Sequence, residues 1–477
     1  MTIITGSLQK IQQGSLLFQY LGAYTSTLNV ITSGMFYGWS SPSLPKLLSN
    51  TSTIPTTTDQ GSWIAVMPLI SAVIGSLIAG STVDMLGRKR MILVASLPYF
   101  ASWIMIAFAK SVELIYVARF IAGMSDGLVF TAVPIYIGEI SEPRIRGLLG
   151  ASVSVTFIFG ILLINIIGSY LTITLAALVA SCLPLITLVT FAFMPETPYQ
   201  HLMRGNSEEA KRSLQKLRGM LDVDAELTRV SLAVKAETKH KGRFWDLFTD
   251  RVNRKAVFIM VIVRGAQQLS GVTAITFYAQ IIFIEAGDNI SSETATIIFF
   301  SVQLCLSLFA STIVDRAGRR PLLIGSISGG ALFLFTEGMY FYIKTCTNID
   351  VTPYSVIPVV GLIGFVIIFS LGMGTVPLLM LGELFSSNAK AFALCFADIY
   401  FSIIATSVSK FFQIMKDSFG IYSPFFAFTF FSVCGLILIV LFVPETKGKT
   451  LEDIQAQFHE GKNLRVRKEK KRDNGVC

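Results

Sequence analysis

Charge is scarce in this chain: of its 477 residues, 14% are Asp, Glu, Lys or Arg, against 52% hydrophobic ones. A soluble protein of that length lacks the charge to cover its surface, and the mean hydropathy of +0.63 points to lipid instead. Histidine is scarcer still. His201, His240 and His459 all fall in polar segments. There is no Gly-rich phosphate loop of the Lys-Ser/Thr kind and no nucleophile beside a base, so nothing suggests an enzyme. Of the six cysteines, Cys182, Cys305, Cys395 and Cys434 lie in apolar stretches, Cys346 in a loop and Cys477 at the end. No pair of them suggests a disulfide, and no metal or other cofactor is expected. The polar segment from Met1 to Gln19 also lacks the form of a cleavable signal.

What the chain has in quantity is long apolar runs. A bilayer-spanning helix needs about 20 mostly apolar residues. Such windows begin near residues 18, 62, 91, 112, 148, 171, 256, 292, 321, 355, 391 and 422. The expected fold class is therefore an all-α membrane protein of twelve transmembrane helices in two six-helix halves. The halves run over 18–198 and 256–443, between a short start (1–17), a polar interval (199–255) and a basic tail (444–477). An even number of spans puts both termini on one side. Arg88, Lys89, Arg90, Arg144, Arg146, Arg316, Arg319, Arg320, Lys390 and the tail fall on that side, so the positive-inside rule makes it cytoplasmic. The net charge of +9 is explained by this orientation, and no nucleic-acid partner is expected. The interval 199–255 reads as short helices: Asn206 precedes Glu208 and Glu209, and Gly219 is a stop.

The second half repeats the first. Asp84-Met-Leu-Gly87-Arg88-Lys89 returns as Asp315-Arg316-Ala-Gly318-Arg319-Arg320. Glu139, with Arg146 seven residues on, returns as Glu383 with Lys390. Pro195-Glu196-Thr197 returns as Pro444-Glu445-Thr446. An internal repeat of this kind marks a transporter whose halves rock about a site near the midplane.

These motifs resemble the sugar-porter family of the major facilitator superfamily over nearly the whole chain. The resemblance is carried as well by Arg119-Phe-Ile-Ala-Gly123, Pro134-Ile-Tyr136-Ile-Gly-Glu139, Gln267-Gln268-Leu-Ser-Gly271 and Glu383-Leu-Phe-Ser. Gly38-Trp39-Ser-Ser-Pro42, followed by Ser62-Trp63-Ile64, is most similar to the insect branch that includes facilitated trehalose transporters. The resemblance implies a charged gate on the cytoplasmic side, formed by Asp84, Arg88, Glu139, Arg146, Glu196, Asp315, Arg319, Glu383, Lys390 and Glu445. A plain positive-inside anchor would leave the matched acids unexplained. Asp84 and Asp315 are further expected to cap neighbouring helix N-termini. Met85, Lys390 and Tyr199 stand where the family has arginine, and lysine cannot pair bidentately.

A sugar site needs neutral amides and hydroxyls with aromatic faces around a wet cavity. The seventh span supplies Gln267, Gln268, Ser270, Thr273, Thr276, Phe277 and Tyr278, and helical spacing brings Gln267, Ser270 and Tyr278 to similar azimuths. Interhelical hydrogen bonding is the competing role for such residues. Resemblance to the family's Gln-Gln motif favours a site made of Gln267, Gln268, Thr273, Phe277, Tyr278, Arg264 and Ser154. Yet Thr273, Ser154, Leu378 and Phe401-Ser402 replace residues that glucose carriers use, which leaves the sugar open between trehalose and a hexose.

Ionisable groups inside spans call for a function. Arg119 matches a family residue; Arg264, Asp126 and Asp398 do not. Arg264 can face substrate or form a buried pair with Asp398 or Glu383. Proton-coupled relatives carry a first-span carboxylate near the position of Ser40, whereas this chain has no acid between Gln19 and Lys46. Downhill uniport is the natural expectation. Asp126, two helical turns from Arg119, keeps proton symport as an alternative, and a non-transporting sugar sensor is a third. Asn50 and Asn289 open glycosylation sequons in loops expected outside. The remaining expectations are a plasma-membrane location, a bilayer and a small sugar as partners, and function as a monomer.

Overall fold

In lipid each backbone N–H and C=O must be satisfied within the chain, and helices do this without a neighbour. The computed structural model describes residues 15–239, 245–287, 290–349, 351–385 and 387–447, and among them there is helix but no strand. The first half comprises α1 (Leu17–Gly38), α2 (Ser40–Leu47), α3 (Thr58–Leu86), α4 (Arg88–Ala107), α5 (Val112–Ile140), α6 (Pro143–Tyr170) and α7 (Ile173–Ala192). The connection carries α8 (Pro198–Met203), α9 (Ser207–Arg218), α10 (Asp224–Lys239) and α11 (Asp246–Thr249). The second half comprises α12 (Arg251–Leu269), α13 (Val272–Ala286), α14 (Ser292–Ala317), α15 (Arg319–Cys346), α16 (Val356–Leu371), α17 (Val376–Leu384), α18 (Ser387–Phe419) and α19 (Tyr422–Phe442).

Eleven helical stretches among the described residues are long and apolar enough to cross a bilayer, with α12–α13 and α16–α17 each counted as one. The twelfth span is α1. Its 22 residues rise about 33 Å, but Ser26, Thr27, Asn29, Thr32 and Ser33 lower its apolar content. All five are buried against protein. Asn29 donates to the Ile92 carbonyl at 2.8 Å and to Ser96 at 2.9 Å, so its amide never meets lipid.

Among the described residues, three spans are interrupted. Gly271 has φ +82°, and a Cβ there would lie 2.2 Å from the Phe428 ring, so only glycine fits the join of α12 and α13. Between α16 and α17 the chain turns through Gly372 to Thr375, and Pro377 opens the helix that follows. Trp39 joins α1 to α2. Elsewhere small residues let helices close up: a Cβ on Gly123 would lie 2.0 Å from Ser71 Oγ, and one on Gly127 2.3 Å from the Ser76 nitrogen. The seventh span starts at Arg251 rather than 256 because Asp250 caps α12, accepting from the Asn253 N–H at 3.1 Å.

The connection folds back on the first half, and its face of the molecule is called the linker side below. As expected, α9 follows Asn206 and stops at Gly219, which is left-handed at φ +62°. Arg218 is buried. It donates to both Glu226 oxygens at 2.9 and 2.8 Å and to the Ile140 carbonyl at 2.8 Å. Gln19 donates to Glu142 at 2.9 Å, which ties the start of α1 to the turn before α6.

Candidate functional site

The break in the seventh span sets the site. Gln267 and Gln268 lie in the last turn of α12, and Thr273 in the first turn of α13, just beyond Gly271. The Gln267 amide donates to the Met373 carbonyl at 2.6 Å, in the turn between α16 and α17, and accepts from Arg264 Nη1 at 3.0 Å. Two interrupted spans are thus joined by one amide. Gln268 accepts from the Thr273 hydroxyl at 2.6 Å, and Thr273 in turn accepts from the Tyr37 hydroxyl at 2.9 Å. This chain crosses from the second half to α1. Phe277 packs against Tyr37 at 4.6 Å between ring centroids, and Phe157 of α6 packs on it at 5.3 Å.

One expectation changes here. The azimuths of Gln267, Ser270 and Tyr278 assumed one straight helix, and the break separates them. Ser270 turns back onto the Gln267 carbonyl at 2.7 Å, while Tyr278 stacks on Phe412 at 5.0 Å with its buried hydroxyl lacking a hydrogen-bond partner. Ser154 is exposed on α6, one turn before Phe157. Of the two roles open to Arg264, the structure shows the ion pair with Asp398, at the long distance of 3.7 Å. The guanidinium also lies 5.2 Å from the centre of the Phe401 ring.

Arg119 is completely buried beside the α1–α2 join. Its guanidinium donates to the carbonyls of Phe36 and Ile64 and to the Ser40 hydroxyl at 3.0 Å, and it faces the Trp39 ring at 5.3 Å. Main chain and a hydroxyl occupy it where a carboxylate was considered. Asp126 lies within the same helix but pairs elsewhere, accepting from the Tyr99 hydroxyl at 2.5 Å.

On the side opposite the linker, here the far side, the halves are tied by a residue no motif pointed to. Lys410 of α18 reaches Asp59 at 2.8 Å and Ser62 at 2.6 Å, both on α3, and lies 4.2 Å from the centre of the Trp63 ring. Close by, α2 packs against α13. A surface cavity of about 470 Å³ lies on this side among Pro45, Leu48, Ile281, Glu285, Lys344 and Lys416, away from the Gln267 amide.

The charged residues on the linker side organise their own halves. Arg88 pairs with Glu139 and Asp84, each at 3.0 Å, donates to Gln200 and lies 5.8 Å from the centre of the Tyr199 ring. Tyr199, at a position where the family has arginine, therefore covers Arg88. The helix-capping role expected of Asp84 falls to Glu196, which accepts from the Lys89 N–H at 3.1 Å over the start of α4. Glu445 repeats this at α15, accepting from the N–H groups of Arg319 at 3.1 Å and Arg320 at 3.0 Å. Burial pushes the Glu445 carboxyl up, but the backbone N–H groups of Lys447, Arg319, Arg320 and Thr446 outweigh it and hold it below the usual range. Gly87 and Gly318, at φ +95° and +93°, supply the matching turns. Arg146 donates to the Ser141 carbonyl at 3.1 Å. Asn50 is exposed in the loop after α2. Asn289 and the side chains of Asp315, Glu383 and Lys390 lie outside the described residues.

Residues 11–458 match the family described as "Sugar (and other) transporter". The chain is 35% identical over 446 residues to a facilitated trehalose transporter, Tret1, of Apis mellifera ligustica, covering 92% of this chain and 88% of that one. Its counterpart in Bombyx mori is 32% identical over 461 residues, covering 96% and 90%. Among solved structures, the xylose transporter XylE from E. coli in a partially occluded inward-open conformation superimposes with a TM-score of 0.76. It is 22% identical over 91% of this chain and all of that one. The XylE proton:xylose symporter bound to 6-bromo-6-deoxy-D-glucose superimposes at 0.74, with 22% identity and coverage of 93% and 99%. With twelve spans in two repeated halves and a glutamine pair at a broken seventh span, this chain belongs to the sugar transporter family and has the major facilitator fold.

Proposed function

We propose that the protein carries trehalose or a hexose down its gradient across the plasma membrane, as a monomer, with its linker side and both termini in the cytoplasm. The observation that carries uniport is the setting of Arg119. Its guanidinium is satisfied by Ser40 and backbone carbonyls, so no first-span carboxylate is there to take up and release a proton. Neutral groups around the Gln267–Gln268 pair suit a polyhydroxyl ligand, since each hydroxyl can replace an internal hydrogen bond with one of its own. A sugar that takes the Gln267 amide from Met373, or Gln268 from Thr273, acts on a contact between moving parts. The basic face of the linker side fits a cytoplasmic setting. Described acids and bases such as Arg88, Glu139 and Glu196 hold each half together there, and with Arg146, Arg319, Glu445, Asp84, Asp315, Glu383 and Lys390 form the proposed gate.

Uptake of labelled trehalose and glucose into proteoliposomes, with and without an imposed proton gradient, tests this reading. The expected result is saturable uptake indifferent to the gradient and lost in Gln267→Ala. Absence of uptake for both sugars would sink it. Asp126 supports a second reading, proton symport, because it is an acid inside a span bonded to Tyr99. Gradient-dependent uptake abolished by Asp126→Asn would establish that alternative.

A further inference from the structure

Asp398 is an acid within the first two turns of an apolar span, yet its side chain is 42% exposed. Its place on α18 shows what it is exposed to. Residues seven and fourteen positions on share its azimuth, and these are Ala405 and Phe412. Both are wholly buried, with Phe412 stacked on Tyr278. The face that carries Asp398 is thus the one turned to the seventh span and the axis between the halves, not to lipid.

Beside it, Arg264 has donors to spare. Of its five N–H groups, Nη1 bonds Gln267, Nη2 sits 3.7 Å from Asp398, beyond hydrogen-bond length, and Nε is buried with no partner. Phe401 lies against the guanidinium. A carboxylate with open lone pairs and a guanidinium with open N–H groups stand side by side, one helical turn from the glutamine pair. Two charges this close could simply compensate each other. A pair built for that purpose alone would close to hydrogen-bond distance, where the desolvated charges recover most energy.

We infer that Asp398 and Arg264 form a second sugar subsite, which takes a vicinal diol on the second ring of a disaccharide whose first ring sits at Gln267 and Gln268. Asp398 accepts from the two hydroxyls while Arg264 donates to their oxygens. The inference rests on the sugar-carrier reading above and narrows it to disaccharides as the better ligands.

The test compares trehalose with glucose in proteoliposomes, each measured by its own uptake or as a competitor of the other. Asp398→Asn should raise the ratio of the trehalose to the glucose half-saturation constant by about tenfold or more, the effect of losing hydrogen bonds to a charged group. Because Asp398→Asn strands the Arg264 charge and can unfold the protein, the neutral double variant Arg264→Gln/Asp398→Asn is measured beside it. The raised ratio should persist there. An unchanged ratio in the single variant, or a wild-type ratio in the double one, would show mere charge compensation and overturn the subsite while sugar transport stands. No uptake of either sugar by the unmodified protein would overturn the carrier reading and the subsite with it.

Discussion

Lys410→Ala should loosen the far side by an amount that can be worked out contact by contact. The ammonium is mostly buried, but its partner Asp59 is 73% exposed, so that ion pair contributes only a few tenths of a kcal/mol, roughly 0.3. The bond to Ser62 joins a charged donor to a hydroxyl and contributes about 1 kcal/mol or somewhat more. The Trp63 ring at 4.2 Å adds about 0.5 to 1 kcal/mol. Together these come to about 2 kcal/mol, or roughly thirtyfold in the ratio of closed to open far side. Spin labels at Thr53 and Phe419, one on each half, report that ratio as a distance distribution. In Lys410→Ala a longer distance should grow at the expense of the short one, and Asp59→Asn should produce much less of it. A folded Lys410→Ala protein with the wild-type distribution would refute the reasoning and leave the far side held by the α2–α13 packing instead.

Gly271→Ala forces a side chain into left-handed backbone and against Phe428 at 2.2 Å. It should lower unfolding stability by about 3 kcal/mol, read from thermal melting in detergent. Ser40→Asp puts a carboxylate against Arg119, whose Nη2 already meets the serine at 3.0 Å, and uptake should become dependent on pH where the parent's is flat. Arg218→Ala removes the partner of Glu226 and of the Ile140 carbonyl, and should loosen α10 by about 2 kcal/mol, seen as faster proteolysis of the connection. Burial pushes the Glu226 carboxyl up, but hydrogen bonds and charge from Arg218 prevail and hold it below its ordinary value. Its stabilising effect is therefore complete above about pH 4.3 and fades as pH falls through the lower folded pKa. Protection of α10 from acid-active proteases should drop only in that acid range, and by less in Arg218→Ala, where Arg229 is left as the partner of Glu226.

The spans were legible because lipid imposes one rule on every segment, length in apolar residues, and the helices begin close to where the apolar windows do. Even α1, whose polar face weakens that signal, was found, since a run of small and hydroxyl residues can still be wrapped by protein. What could not be read was pairing at long range. Lys410 and Asp59 stand 351 positions apart, and the Ser62-Trp63 motif beside Asp59 gives no sign of a lysine partner. The capping acids were found as a repeat, but Asp84 was expected in the role that Glu196 and Glu445 fill, because only folding brings the end of each half back to its third span. Gln267 and Tyr278 were aligned on a straight helix, although Gly271 already marked the break. Arg119 and Asp126 do share a helix face, yet each finds a different partner.

The line of hydroxyls from Tyr37 through Thr273 to Gln268 has a consequence for turnover. All its members are protein groups, so this line across the junction of the halves is satisfied by the protein itself. An unloaded molecule can therefore adopt this closed shape and reset without stranding a buried amide. Such a carrier is not bound to swap one molecule for another: it can empty a gradient as well as exchange across it. Countertransport by a preloaded pool should therefore quicken its flux without being required for it.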